Sequence, residues 1–123
     1  MIAESAGKAM FVNLDGTSED SWDNAVRAAV FSFGKLDILV NNAGVSLRFG
    51  VEQTSAKEWD AVMDVNVKGV FLGTKAAIPE MRRSGGGCII NISSIYGLVG
   101  SATSADYHAS KGAVRVFNKS TAI

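Results

Sequence analysis

The sequence predicts an α/β fold built on a parallel sheet, and two observations carry that expectation. Short apolar runs of strand length alternate with longer segments whose apolar residues recur every three to four positions. The order is strand, helix, strand, helix, strand, helix, and parallel neighbours need a crossover of that kind between them. A third observation agrees. Each apolar run gives way at once to small or polar residues, where a chain leaves a sheet and turns.

Taken in order, "AMFVNL" (9–14) is the first apolar run and reads as a buried strand. Thr17 with Asp20 resembles a capping pair that opens a helix. Trp22, Val26, Ala29, Val30 and Phe33 then recur at helical spacing, and Gly34 stands where a helix C-terminal glycine belongs. "LDILVNNAG" (36–44) is a second strand that runs into a turn. Ser55 and Glu58 form a capping box for a long helix, 55–83. Its broad face carries Trp59, Val62, Met63, Asn66, Val67, Val70, Phe71 and Thr74. Pro79 is expected to kink or end that helix, since it lacks an N–H and clashes one turn back. "SGGG" (84–87) is a turn, "CIINI" (88–92) a third strand, and 93–106 a serine- and glycine-rich loop. A last helix begins near Tyr107. Trp22 and Trp59 read as core, and Cys88 beside Ile89 and Ile90 reads as a small buried side chain.

Composition narrows the function classes. Of 123 residues, 47% are hydrophobic and 20% charged, the profile of a globular domain. Twelve basic side chains balance twelve acidic ones, so there is no electrostatic footprint for nucleic acid or an anionic membrane. One cysteine excludes an internal disulfide. No apolar run approaches the ~20 residues a membrane span needs. "MIAESAGK" has no apolar segment behind a basic one, so a cytoplasmic location is the expectation. No fixed-period repeat or low-complexity tract is present. The last helix reaches Ile123 without a cap, and three parallel strands make a small sheet with open edges. The chain is therefore expected to be part of a longer one, with a small self-standing domain as the alternative.

Ligands of parallel sheets bind outside the carboxyl ends of the strands. There the sequence puts Asp15-Gly16, Asn41-Asn42-Ala43-Gly44, and Ser93-Ser94. Tyr107 opens the last helix, and Lys111 follows one turn on, on the same face. Tyr-x-x-x-Lys alone arises by chance about once in several hundred positions. Its company is what gives it weight. Ala43 and Gly44 let backbone approach a flat ligand closely. Asn66 sits on an apolar helix face, where an amide needs partners and could reach the cleft through water.

Asp15 in "NLDGTSED", "NNAG" at 41–44, Asn66 in "VNVKG", Ser94 in "INISS", and Tyr107 with Lys111 in "YHASK" together resemble the short-chain dehydrogenase/reductase family with a Tyr-x-x-x-Lys site. They stand in the family's order and separations, over essentially the whole chain. The resemblance implies the central part of one Rossmann-type, doubly wound domain across 1–123, about three strands alternating with three helices. A glycine-rich phosphate loop similar to TGxxxGxG belongs to the family pattern and does not occur in this sequence. A C-terminal substrate lid is expected to lie outside the chain as well.

The resemblance also implies roles. Catalysis falls to Asn66, Ser94, Tyr107 and Lys111, and cofactor binding to Asp15, Gly16, Asn42, Ala43, Gly44, Tyr107 and Lys111. Ser94 and Tyr107 meet the substrate, and no metal is assigned. The cofactor is NAD or NADP, with NAD favoured. Tyr107 is the general acid–base. A free phenol ionises near pH ~10, and an ammonium one turn away favours the phenolate. Lys111 also bonds the nicotinamide ribose, Ser94 donates to the substrate oxygen, and Asn66 holds a water that links Lys111 to solvent. Asp15 and the Gly16 backbone border the adenine, and 42–44 pack near its ribose. Gly16 departs from the family, which more often has a small branched residue there. The substrate is a small secondary alcohol or ketone, alicyclic or steroid-like, or else a 3-oxoacyl carrier-protein thioester. The loop 95–106, with Ile95, Leu98 and Val99 and no basic residue, argues against strongly anionic substrates. The intact protein is expected to be a homotetramer or homodimer, and a non-catalytic interaction module is the reading of another class. Each residue has a plainer alternative: Asn66 a structural amide, Asp15 a turn cap, Ser94 a loop serine beside Ser93, His108 a rim side chain.

Overall fold

A computed structural model describes residues 7–122. Helix α1 (Glu19–Phe33) starts at Ser18, whose Oγ accepts from the Ser21 N–H at 3.3 Å. The cap is therefore Ser18 and not the expected Thr17, whose N–H and hydroxyl both go to Asp15. Gly34 closes the helix in the left-handed region at φ 88°, with its N–H on the Val30 carbonyl.

Strands β1 (Ile38–Asn41) and β2 (Cys88–Asn91) pair in parallel, Ile38 opposite Cys88 and Asn41 opposite Asn91. The ladder is extended at both ends, by Cys88 N–H to Asp37 O and Ile92 N–H to Asn41 O. Among the described residues the sheet has these two strands. The expected first strand, 9–14, forms no ladder, and Phe11 is 88% exposed. An apolar run becomes a strand only beside a neighbour that exchanges hydrogen bonds with it, and no described segment does so.

The crossover from β1 to β2 begins with an irregular loop (42–50) and a 3₁₀ turn (Val51–Gln53), and its helical part is not one helix. Helix α2 (Ala56–Met63) begins at the expected capping box, Ser55 with Glu58. A π-turn (Asp64–Lys68) follows, and helix α3 (Gly69–Arg83) continues from it. Pro79 lies inside α3 and does not end it. The carbonyl left without its partner is that of Lys75, which is exposed and can turn to water. A single 3₁₀ turn (Ile95–Gly97) precedes helix α4 (Ala105–Thr121), which starts two residues before the expected Tyr107.

The core lies where α3 packs on α1 and β1, and α4 on α2 and β2. Val26, Val62, Val70, Leu72, Ala77, Met81 and Val114 fill it. In the sheet, Leu39 and Ile89 are half-buried, while Ile38, Val40, Cys88 and Ile90 are exposed. That alternation means one face is covered by helices and the other is not. Cys88 falls on the open face, which corrects its expected burial. Trp59 is 38% exposed rather than in the core, and lines a shallow pocket with Val51, Ala105 and Asp106.

Candidate active site

Lys111 is the best-defined member of the site. It is 4% exposed, and its Nζ donates to the Ile92 carbonyl, 2.7 Å away, just past the end of β2. Burial pushes this ammonium below its ordinary pKa. Its own carbonyl accepts from Ser93 Oγ at 2.8 Å, so the end of β2 is tied to α4 from both sides of one residue. Tyr107, one turn earlier, lies with its ring centroid 5.6 Å from that Nζ.

Asn66 is wholly buried in the π-turn. Its Nδ2 donates to Val45 O at 2.8 Å and Ser110 Oγ at 2.9 Å, and its Oδ1 accepts from Val45 N–H at 2.8 Å. Ser110 donates in turn to the Tyr107 carbonyl. The Asn66 side chain thus clamps the loop after β1 to α4, leaving one lone pair on Oδ1 for water. A Cβ placed on Gly44 would stand 3.4 Å from both Asn66 Oδ1 and Lys111 Nζ. Asn66, Gly44, Lys111 and Tyr107 are therefore gathered at the carboxyl end of the sheet.

Four of the residues expected to hold the cofactor line one cleft of about 280 Å³: Asp15, Gly16, Asn42 and Ala43, with Trp22 and Val70. Gly44 is not in its wall and sits instead against Lys111. Asp15 Oδ1 accepts the Thr17 N–H and hydroxyl, so it caps its own turn, and these bonds hold its carboxyl below the usual range. The Gly16 carbonyl accepts from Trp22 Nε1 at 3.0 Å. Trp22 is thus half-buried in a cleft wall rather than in the core. A Cβ on Gly16 would meet nothing within 4 Å, so the cleft is open at that point. The apolar walls and the polar turn suit a flat heterocycle with a hydroxylated sugar.

A second pocket, about 510 Å³, holds Tyr107. Its other walls are Ser46, Arg48, Tyr96, Ser101, Thr103 and Ser104. Ile95, Leu98 and Val99, expected there, are exposed and line nothing of it. The tilt of the 3₁₀ turn presents Tyr96 to the pocket, its ring 6.4 Å from Tyr107 and 4.5 Å from His108. His108 is half-buried. Its Nδ1 lies 2.6 Å from Ser104 O and its Nε2 3.2 Å from Ser101 Oγ, so it ties the loop to α4. Ser94 is absent from this wall. Its Oγ accepts from Tyr96 N–H at 3.2 Å and keeps its own proton to donate. Arg48, Tyr96 and Ser110 escaped sequence reasoning. Only Ser110 left a trace, one turn from Tyr107 on the helix.

The pattern of these residues is matched over 1–123 by the family model for the short chain dehydrogenases. The chain belongs to that family. As a short chain dehydrogenase it is 50% identical over 122 residues to a cyclopentanol dehydrogenase of a Comamonas species, covering 99% of this chain and 49% of the relative. It is 47% identical to a 3-alpha-(or 20-beta)-hydroxysteroid dehydrogenase of Mycobacterium tuberculosis, over all of this chain and 47% of the relative. It is 50% identical to a trans-4-hydroxycyclohexanecarboxylate dehydrogenase of Sinomonas cyclohexanicum, over 94% of this chain and 44% of the relative. The chain spans about half the length of the curated relatives it matches. No helix among the described residues is long and apolar enough to cross a membrane.

Proposed function

We propose that the protein containing this chain is an NAD(P)-dependent oxidoreductase acting on a secondary alcohol or its ketone, with an alicyclic or steroid-like skeleton. The observation that carries this reading is the buried Lys111 ammonium, fixed on Ile92 O and 5.6 Å from the Tyr107 ring. An ammonium has three N–H donors, and Ile92 takes one. The others remain for ribose hydroxyls, and Tyr107 beside this ammonium would take the alcohol proton as general base. Ser94, with its hydroxyl hydrogen uncommitted, is suited to hold the substrate oxygen. Asp15, Gly16, Asn42 and Ala43 would border the adenosine half of the dinucleotide. When bound, the nicotinamide supplies hydride transfer. The relatives' names share a ring bearing a hydroxyl, which supports the alicyclic skeleton.

NAD is the cofactor we favour over NADP, and a cytoplasmic homodimer or homotetramer is the assembly. Exposed Trp59, Phe71 and Val116 on α2, α3 and α4 support contacts between copies. Sedimentation of the full-length protein tests the assembly, and comparing kcat/KM with the two cofactors tests the preference. The catalytic reading is tested by Tyr107→Phe in the full-length protein. Turnover of a secondary alcohol should fall about 10²- to 10⁴-fold with little change in cofactor Kd. Retained turnover would remove Tyr107 from the chemistry.

A further inference from the structure

The pocket that holds Tyr107 is polar, carries one cation and has no carboxylate in its wall. The cation is Arg48, which comes from the loop after β1 rather than from the serine-rich loop beside Tyr107. That loop is not slack. At one end the Asn66 amide grips both the N–H and the carbonyl of Val45. At the other end Ser104 N–H donates to Phe49 O at 2.8 Å. Ser104 itself holds a left-handed conformation at φ 63°, the one non-glycine with positive φ among the described residues. A serine pays for that conformation only where surrounding contacts fix it. Residues 46–48 therefore form a short arch between two anchored points, both of which lead to α4 and Tyr107.

Arg48 is exposed at the pocket rim and makes no ion pair among the described residues. The rest of the wall offers hydroxyls from Ser46, Ser101 and Thr103, which accept or donate as required. A planar guanidinium suits the two oxygens of a carboxylate, bound through two parallel N–H bonds. With one cation in the wall, a group of single negative charge is matched, and a dianionic phosphate monoester is not.

Resting on the dehydrogenase reading above, we propose that Arg48 is a substrate-binding residue, and that the substrate is a ring alcohol bearing a carboxylate remote from the reacting hydroxyl. Tyr107 would meet the hydroxyl end and Arg48 the acid end of one molecule.

The test uses the full-length protein, its Arg48→Gln variant and its Arg48→Lys variant. The first measurement is the binding of cyclohexanecarboxylate by titration calorimetry. This ligand has no hydroxyl and so reports on the anion site whether or not the protein is a dehydrogenase. Wild type should bind it about tenfold or more tightly than Arg48→Gln, with Arg48→Lys between them. The second measurement is turnover of 3-hydroxycyclohexanecarboxylate against cyclohexanol. Arg48→Gln should raise KM for the acid about tenfold or more, against a smaller effect on KM for cyclohexanol. Equal binding of cyclohexanecarboxylate by wild type and Arg48→Gln, or no binding by wild type, overturns the proposal. So does a wild type that uses cyclohexanol as efficiently as the acid. Binding that depends on Arg48 without reduction of either cofactor keeps the anion site and overturns the dehydrogenase reading instead. Inorganic phosphate that competes as well as the carboxylate overturns the choice of a singly charged group.

Discussion

Lys111 shows what one residue costs and what it makes possible. Its ammonium is taken out of water with one carbonyl as compensation, which lowers its pKa. The unfolded chain therefore holds its lysine proton to higher pH than the folded one. Between the depressed value and the ordinary lysine value the unfolded state binds more protons, so this residue's effect on stability improves as pH rises through that window. Below the window the cost is constant. Lys111→Met should remove it, so the thermal midpoints of wild type and variant should converge as pH rises towards the ordinary lysine value of ~10.5. Parallel midpoints over that range would mean that burial does not perturb the group. The same variant should lose turnover and weaken cofactor binding, as expected of a site that trades stability for chemistry. At Asp15 the fold favours the charged form instead of penalising it. The Thr17 bonds lower its pKa, so what they contribute is present at neutral pH and is lost as pH falls through the depressed value.

At the scale of elements, the helices are placed by caps and by close approach. Ser18→Ala removes the N-cap of α1 and should destabilise by about 1 kcal/mol, read from urea unfolding. Helix α3 approaches α1 and β1 so closely at Gly73 that a Cβ there would collide with Asn41 Oδ1 and stand 2.8 Å from the Trp22 ring. Gly73→Ala should destabilise by roughly 1–3 kcal/mol through overpacking, against the small gain a helical alanine would otherwise bring. An unchanged urea midpoint would show that Trp22 swings away freely. The π-turn between α2 and α3 has a distinct use. One widened turn sets Asn66 against Val45 and Ser110 while Val62 and Val70, on either side, stay in the core. A regular helix would present the next turn in a different rotation, and the clamp on the loop would open.

For the molecule as a whole, the parallel sheet is dressed on one side. Apolar Ile38, Val40 and Ile90 alternate outward on the other, where parallel sheets are ordinarily covered. The cleft lined by Asp15, Gly16, Asn42 and Ala43 has walls for a heterocycle, but the sequence holds no glycine-rich turn for a pyrophosphate. The 123-residue chain by itself is therefore expected to reduce neither NAD nor NADP with any secondary alcohol. Turnover by the purified 123-residue chain would show that the dinucleotide is held without that turn.

The α/β class, the parallel crossover, the capping box at Ser55–Glu58, the end of α1 at Gly34 and the family motif from Asp15 to Lys111 are all legible in the sequence. These are local or periodic properties, written in residue type and spacing, so a linear reading reaches them. Other features depend on neighbours remote in the chain and appear only once it is folded. Residues 9–14 are apolar enough for a strand, yet no described segment pairs with them. Cys88 and Trp59 have apolar company in the sequence but face outward, because burial depends on which surface another element covers. That the Asn66 amide bonds Val45 and Ser110 is likewise visible only in the fold. Arg48 carries no motif at all. It lines the Tyr107 pocket because Asn66 and Ser104, distant in sequence, pin the two ends of its loop, and such a juxtaposition is a property of packing rather than of spacing.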